Sequence, residues 1–322
     1  MPRVGVLITG FGGPDCPEAV GPFMCNLMGR EPAQELVSRV RARYEAIGGC
    51  SPLGATARLF AERVQAALGA RGVDAAARVG MRYWEPYIAP AVDALVESGA
   101  ERIVTVALSP FETHVTHGEY RAAVEAAVAG HPGVTVAEAP LLSALPVYAE
   151  LHAQAARAAL ETLGVPDAPI VFSAHSLPIA DVTGDDSYTG GLEACAEQVA
   201  SALGLGAGSV NAEVYPGVTA YGCASGPRRW LVAYQSKGAR GGEWLGPDTD
   251  DVIAAAAREG AAGMVVVPLG FATEHMETLY DLDIVAVQVA RDAGIAFARS
   301  SAPDAHRVLT DAVADAVTGM LG

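Results

Sequence analysis

The chain has 322 residues, 51% of them hydrophobic, and its 37 acidic against 21 basic residues give a net charge of −16. That length and apolar content suit two α/β domains of ordinary size or one large α/β unit. The charge disfavours nucleic acid and anionic membrane surfaces as partners, while leaving room for a local basic pocket that takes an acidic ligand.

Five cysteines (Cys16, Cys25, Cys50, Cys195 and Cys223) include no C-x-x-C pair. They argue for a reducing compartment and against a disulfide frame or a structural zinc site. The apolar run 4–8 follows the first three residues directly and is too short for a signal peptide. Nothing later approaches a membrane-spanning length. The expectation is a cytoplasmic protein with no integral membrane segment.

Residues 4–8 read as a first strand, followed by the loop Thr9-Gly10-Phe11-Gly12-Gly13-Pro14. Its glycines serve either a tight turn or a close approach of backbone to a ligand. Pro14 and Pro17 keep it from opening a helix as a dinucleotide fingerprint would. Helical spacing follows at 33–46, ended by Gly48-Gly49, and again at 55–68. A strand at 75–81, a helix at 88–97 and a strongly apolar strand at 102–108 come next. A helix at 120–129, a short strand at 134–136 and a helix at 145–163 complete the first half.

Residues 169–172 form a short apolar run with β-branched and aromatic side chains, which reads as a buried strand stopping at Ser173. His175 lies just past it, and Pro178 blocks an immediate helix. Open α/β sheets place their chemistry at the carboxyl ends of strands, and histidine titrates nearest neutrality. A helix at 192–203, a strand at 231–234 and a helix at 248–259 with an acidic first turn follow. A strand at 263–268, a helix from about Thr273, a strand at 295–299 and a closing helix at 305–321 finish the chain. The Gly- and Ser-rich stretch 205–229 reads as a long loop. Alternation on this scale implies parallel sheets with helices on both faces. The expected fold class is α/β, with two Rossmann-like domains at 1–150 and 151–322 whose strand ends meet at a cleft, and the last helix packs back on the first.

A helix from Thr273 would put Glu274, Glu277 and Asp281 on one face, at i, i+3 and i+7. The plain reading is a solvated acidic face. The interleaved Met276, Leu279, Tyr280 and Leu282 suggest instead a partly buried helix whose carboxylates raise one another's pKa and form a path for protons or cations. A histidine and a carboxylate together suit a divalent metal of intermediate softness, held loosely.

Several blocks are then recognisable together: Gly10-Phe11-Gly12-Gly13-Pro14, Arg43-Tyr44-Glu45-Ala46-Ile47-Gly48-Gly49-Cys50-Ser51-Pro52-Leu53, and Met81-Arg82-Tyr83-Trp84-Glu85-Pro86. Phe172 through Pro178, Tyr234-Gln235-Ser236 with Trp244 through Asp248, and Pro268 through Asp283 complete the set. In this order, over nearly the whole length, they resemble the ferrochelatases, which insert ferrous iron into a porphyrin in haem synthesis. The resemblance implies two Rossmann-like domains with a porphyrin cleft between them. It implies that His175 binds metal and accepts a proton, that Glu277 is its partner carboxylate, and that Glu274 and Asp281 form an acidic path behind it. It places Phe11 against the macrocycle face where relatives carry tyrosine or methionine; phenylalanine cannot ligate iron.

Arg43, Tyr44, Ser51 and Tyr120, with Arg30 as a further contact, resemble the propionate-binding set of the coproporphyrin III-using branch. The implied substrates are Fe(2+) and a porphyrin. No iron–sulfur cluster is expected, and a downstream haem-synthesis enzyme is a further partner. Open alternatives are protoporphyrin IX as substrate, a related chelatase for another divalent metal, and a non-catalytic tetrapyrrole carrier.

Overall fold

The computed structural model describes residues 3–182, 187–205, 229–238 and 241–321. Most of the expected loop at 205–229, namely 206–228, lies outside the described residues. The chain divides into two compact units. One comprises Met1–Val147 with Asp304–Gly322, and the other Tyr148–Pro303.

In the first unit, β1 (Arg3–Gly10) is buried along almost its whole length, as expected for a strand covered on both faces. It is followed by α1 (Val20–Met28), α2 (Gln34–Ala46) and α3 (Leu53–Ala70), then β2 (Ala75–Met81), α4 (Ile88–Glu97), β3 (Ala100–Ala107), α5 (Glu119–Val128) and β4 (Thr135–Glu138). The sheet is parallel in the order β2-β1-β3-β4. Leu7 and Ile103 pack against Ile88, Val92 and Leu95 of α4 and Val124 of α5.

The helix α1 has no counterpart in the sequence reading. Its Gly21-Pro22 pair resembles a breaker, but Pro22 stands in the first turn, where the missing N–H would have no intrahelical partner anyway.

In the second unit, α6 (Pro146–Leu163), which starts at the boundary, leads into β5 (Ile170–His175). Then come α7 (Tyr188–Ala202), β6 (Trp230–Gln235), α8 (Thr249–Arg258), β7 (Gly263–Val267), α9 (Met276–Tyr280), α10 (Val287–Ala293) and β8 (Ala296–Arg299). The parallel order β6-β5-β7-β8 repeats the first sheet's topology. From β5 the chain steps to β6 on one side and to β7 on the other. The carboxyl end of β5 is therefore the topological switch point, where open α/β sheets hold ligands. The closing helix α11 (Arg307–Gly319) belongs to the first unit, where it packs on α3 and Arg71 pairs with Asp315 at 2.7 Å.

Two boundaries differ from the sequence reading in ways that move functional residues. β5 continues through Ser173 to His175, because the backbone ladder with β6 runs on to the pair His175–Gln235. His175 thus ends the strand rather than following it. The helix expected from Thr273 starts at Met276, with His275 as its N-cap, and continues after Tyr280 as a π-helical stretch, Asp281–Ala286. Leu282 and Ala286 of that stretch are buried in the core formed with Leu231, Ile253, Met264 and Val266.

Gly270 fixes the approach to this helix. Its N–H donates to the Ser173 carbonyl at 2.9 Å, and an added Cβ would lie 2.5 Å from Ala174 Cβ and 2.6 Å from its Cα. Gly270→Ala should therefore cost about 1–3 kcal/mol of stability, the usual penalty of overpacking. Gly10→Ala is the control, since its Cβ would press on the flexible Met81 thioether and otherwise make an ordinary contact with Leu108 at 3.7 Å. Chemical denaturation of both variants checks this; an equal or smaller loss at 270 contradicts it.

Candidate active site

The hook at Gly270 lays residues 271–277 across the end of β5. There His175 Nε2 stands 3.3 Å from Glu277 Oε1, with both side chains about one-third exposed. Tyr188 Oη donates to the His175 carbonyl at 2.8 Å, Ser176 N–H donates to the Gln235 carbonyl at 2.8 Å, and Ser176 Oγ donates to the Leu245 carbonyl at 2.8 Å. The strand end is thereby held rigid. His175 Nδ1 donates to the Ser176 carbonyl. A carbonyl only accepts, so Nδ1 carries a proton, and Nε2 is the nitrogen left able to exchange one.

Burial opposes charge on His175. The Glu277 carboxylate outweighs it, with help from its hydrogen bond, the Ser176 carbonyl and Asp281, and the imidazole pKa rises to about 9. At neutral pH the pair is an imidazolium beside a carboxylate. A divalent cation entering at Nε2 must displace a proton.

The expected three-carboxylate face does not form. Glu274 precedes the helix, because His275 and Thr278 build a capping box that starts it later: His275 Nδ1 accepts from Glu277 N–H at 3.1 Å, and His275 N–H donates to Thr278 Oγ1 at 3.0 Å. Glu274 instead accepts from Arg299 Nη1 at 2.7 Å, Ala302 N–H at 2.8 Å and Thr278 Oγ1 at 2.6 Å. Burial would raise its pKa, but these donors, Arg299 first, hold it below the ordinary carboxylate range. That is the opposite of the expected mutual elevation. Arg299 also grips Asp283 through two parallel bonds of 2.6 and 2.7 Å.

Asp281 remains with Glu277, one helical turn on, and accepts from Ser236 Oγ. Asp250, which the sequence reading noted only as part of an acidic first turn, adds to this charge. Burial, then Asp248, Asp281 and Asp251, push its pKa up to about 6. Among the described residues, no group of three or more His, Cys, Asp or Glu side chains is placed to hold a metal ion.

In the first unit, Phe11 leans on Tyr83 with ring centroids 4.7 Å apart and planes tilted by 55°, and meets Phe23 edge-on at 6.4 Å. The following loop is pressed against the protein itself. Gly12 has φ +94, and its Cβ would lie 2.9 Å from Trp84 N; a Cβ on Gly13 would lie 3.0 Å from Ser51 Oγ and 3.9 Å from Tyr44 Oη. Tyr44 and Ser51, both buried, therefore converge beside the Phe11 loop. Arg43, the residue before Tyr44 on α2, and Arg30, just past α1, are exposed. Tyr120 is turned inward, 3% exposed, with its hydroxyl 3.2 Å from Ser109 Oγ. Burial pushes its phenol well above the ordinary value, so it stays protonated. Sequence reasoning also missed His275, Gln235 and Ser236 as parts of the His175–Glu277 surroundings, though all three stand inside the recognised blocks.

The Ferrochelatase family model matches residues 3–321. A ferrochelatase of Cyanothece sp. is 32% identical over 95% of this chain and 79% of its own length. A coproporphyrin III ferrochelatase of Mycolicibacterium smegmatis is 32% identical over 98% of this chain and 89% of its own, and one of Anoxybacillus flavithermus is 29% identical over 99% and 96%. Among solved structures, SirB from Bacillus subtilis with Fe3+ superposes with a TM-score of 0.53 at 14% identity, covering 98% of this chain and 94% of that one. CbiX, the terminal enzyme of sirohaem biosynthesis in denitrifying bacteria, gives 0.52 at 15% identity over 99% and 100%. The fold is the chelatase fold.

Because the His175 pKa is raised, the pair's contribution to stability is complete below the ordinary histidine value of about 6.5 and is lost as pH rises through about 9. In Glu277→Gln burial meets less opposition. His175 should then titrate well below the wild-type value, moving toward or past 6.5. NMR titration of the ring in both proteins checks this; an unmoved midpoint contradicts the pairing.

Proposed function

The chain belongs to the ferrochelatase family, whose reaction is insertion of ferrous iron into a porphyrin, and from that premise we propose that it acts on coproporphyrin III. The observation that carries this reading is the convergence of the Tyr44 and Ser51 hydroxyls beside the Phe11 loop, with the Arg43 guanidinium next in sequence. Coproporphyrin bears four propionates and protoporphyrin two. Arginine donates two parallel hydrogen bonds to a carboxylate, and hydroxyls add single ones. Relatives named coproporphyrin III ferrochelatases support the same choice. Arg30 is assigned to a further propionate, and Phe11 to the macrocycle face, where it supplies contact area and no ligand. Tyr120, buried against Ser109, supports this region from inside and is not assigned a propionate.

Insertion replaces two pyrrole protons with Fe(2+). At rest His175 is an imidazolium, so an arriving Fe(2+) first drives its Nε2 proton out to solvent. The neutral imidazole so formed is the group assigned to contact the metal and, once the metal has passed to the porphyrin, to take one pyrrole proton, with the Glu277 carboxylate stabilising the imidazolium that is restored. The second pyrrole proton is assigned to the Glu277–Asp281 path. Metal and proton compete for one nitrogen, so arrival of Fe(2+) and departure of a proton are coupled there. Asp281 continues the path behind Glu277. Glu274, compensated by Arg299, is the anchor of this segment rather than a carrier on the path. Binding energy from the propionates holds the macrocycle in a geometry that exposes its nitrogen lone pairs. With only two of the metal's ligands drawn from His175 and Glu277, the porphyrin nitrogens can strip the ion from the protein.

The test is anaerobic kcat/KM for Fe(2+) insertion into coproporphyrin III and protoporphyrin IX, in wild type and Arg43→Leu. A charge-assisted hydrogen bond contributes about 1.5–3 kcal/mol, so its loss should weaken transition-state binding roughly tenfold to a hundredfold. The wild type should prefer coproporphyrin III, and Arg43→Leu should erode that preference more than it lowers activity with protoporphyrin IX. Equal efficiency with both porphyrins in the wild type, or a faster rate with protoporphyrin IX, would assign the protein to the protoporphyrin branch.

A further inference from the structure

Gln235 ends β6 as the register partner of His175, so the two side chains leave the same face of the sheet. Gln235 is 4% exposed. Its Nε2 donates to the backbone carbonyl of Glu277 at 3.0 Å and lies 3.5 Å from Ser236 Oγ. Its Oε1 is buried and has no partner among the described residues. An unpaired buried amide oxygen opposes folding, and a methionine would occupy similar space without that cost. What the amide offers in return is its N–H, spent on the residue that faces His175.

The next residue repeats the pattern. Ser236 has φ +62, a left-handed conformation that costs any side chain bearing a Cβ. From that conformation its hydroxyl donates to Asp281 Oδ2. Strained backbone persists where its surroundings fix it, and such positions cluster at functional sites. Two consecutive residues at one strand end therefore hold two carboxylate-bearing residues of the helix that follows β7, Glu277 by its backbone and Asp281 by its side chain.

We propose that Gln235 and Ser236 are positioning residues, a two-point clamp that sets Glu277 against His175 and fixes Asp281 behind it. The inference rests on the reading of His175 and Glu277 as the metal and proton site. The clamp acts where strand and helix meet, so it governs the distance between two side chains carried by different elements. Misplacing a reacting group by about an ångström can cost as much as 10²-fold.

Gln235→Met removes the N–H and also the orphaned oxygen. Ser236→Gly removes the hydroxyl and also the strain. Neither should lower the melting temperature. Both should lower kcat/KM for Fe(2+) roughly 10- to 100-fold, with KM for the porphyrin unchanged. In the metal-free protein the ¹⁵N signal of His175 Nε2 should shift in Gln235→Met, because its carboxylate partner is released. A wild-type KM and kcat for Fe(2+) in both variants, or an unmoved His175 signal in Gln235→Met, overturns the clamp. If the wild-type protein inserts no iron, the assigned function fails, and the His175 signal alone decides the clamp.

Discussion

Gly270 donates its backbone N–H to the Ser173 carbonyl at 2.9 Å, and the chemistry of the second unit depends on how close that contact brings two backbones. Only a residue without a Cβ passes Ala174 at this distance. The contact extends the β5–β7 pairing beyond its last ladder partners, Phe172 and Val267. It carries the chain over the switch point of the sheet, so that a helix begun at Met276 presents Glu277 to His175. A loop following a wider course would leave the histidine at a strand end with no carboxylate partner.

The same few residues separate two kinds of carboxylate. Glu274 is satisfied three times over, by a guanidinium, a backbone amide and a hydroxyl. A buried charge paired this completely is stable and inert, and removing Arg299 would strand it. Glu277 faces His175 at 3.3 Å, and the imidazolium exists largely by virtue of that carboxylate. A pair whose proton is held by one neighbour, at the edge of solvent, can exchange that proton for a metal ion. The division of labour follows from where the helix starts, which His275 and Thr278 decide through their reciprocal cap.

Much of this architecture is legible in the sequence. The strand at 75–81, the strand read at 263–268 and found at Gly263–Val267, the helix at 88–97 and the repeated βα alternation follow from periodicity, because buried parallel strands are continuous apolar runs and the helices keep one apolar stripe. His175 and Glu277 are findable because their blocks carry a family resemblance. The fate of Glu274 is not. Its controlling partner, Arg299, lies 25 residues away on another strand, and an acidic face on a helical wheel says nothing about a cation arriving from β8. The late helix start is hidden because histidine is an uncommon cap. The roles of Gln235 and Ser236 depend on a backbone carbonyl and on a positive φ, neither of which a sequence displays. Tyr120 is a propionate contact by resemblance alone, yet after the π-helical turn at His114–Gly118 it lies buried against Ser109, which its residue type does not display.

The central claim is that one nitrogen–carboxylate pair at the end of β5 carries both metal and proton. The most direct measurement is anaerobic single-turnover iron insertion by wild type and His175→Ala, with porphyrin affinity measured separately by fluorescence quenching. The account predicts a rate lower by roughly 10²–10⁴-fold, the usual worth of a positioned base, with porphyrin affinity unchanged. A variant that keeps more than about half the wild-type rate contradicts it, since a positioned proton acceptor typically contributes about 10²–10⁴-fold.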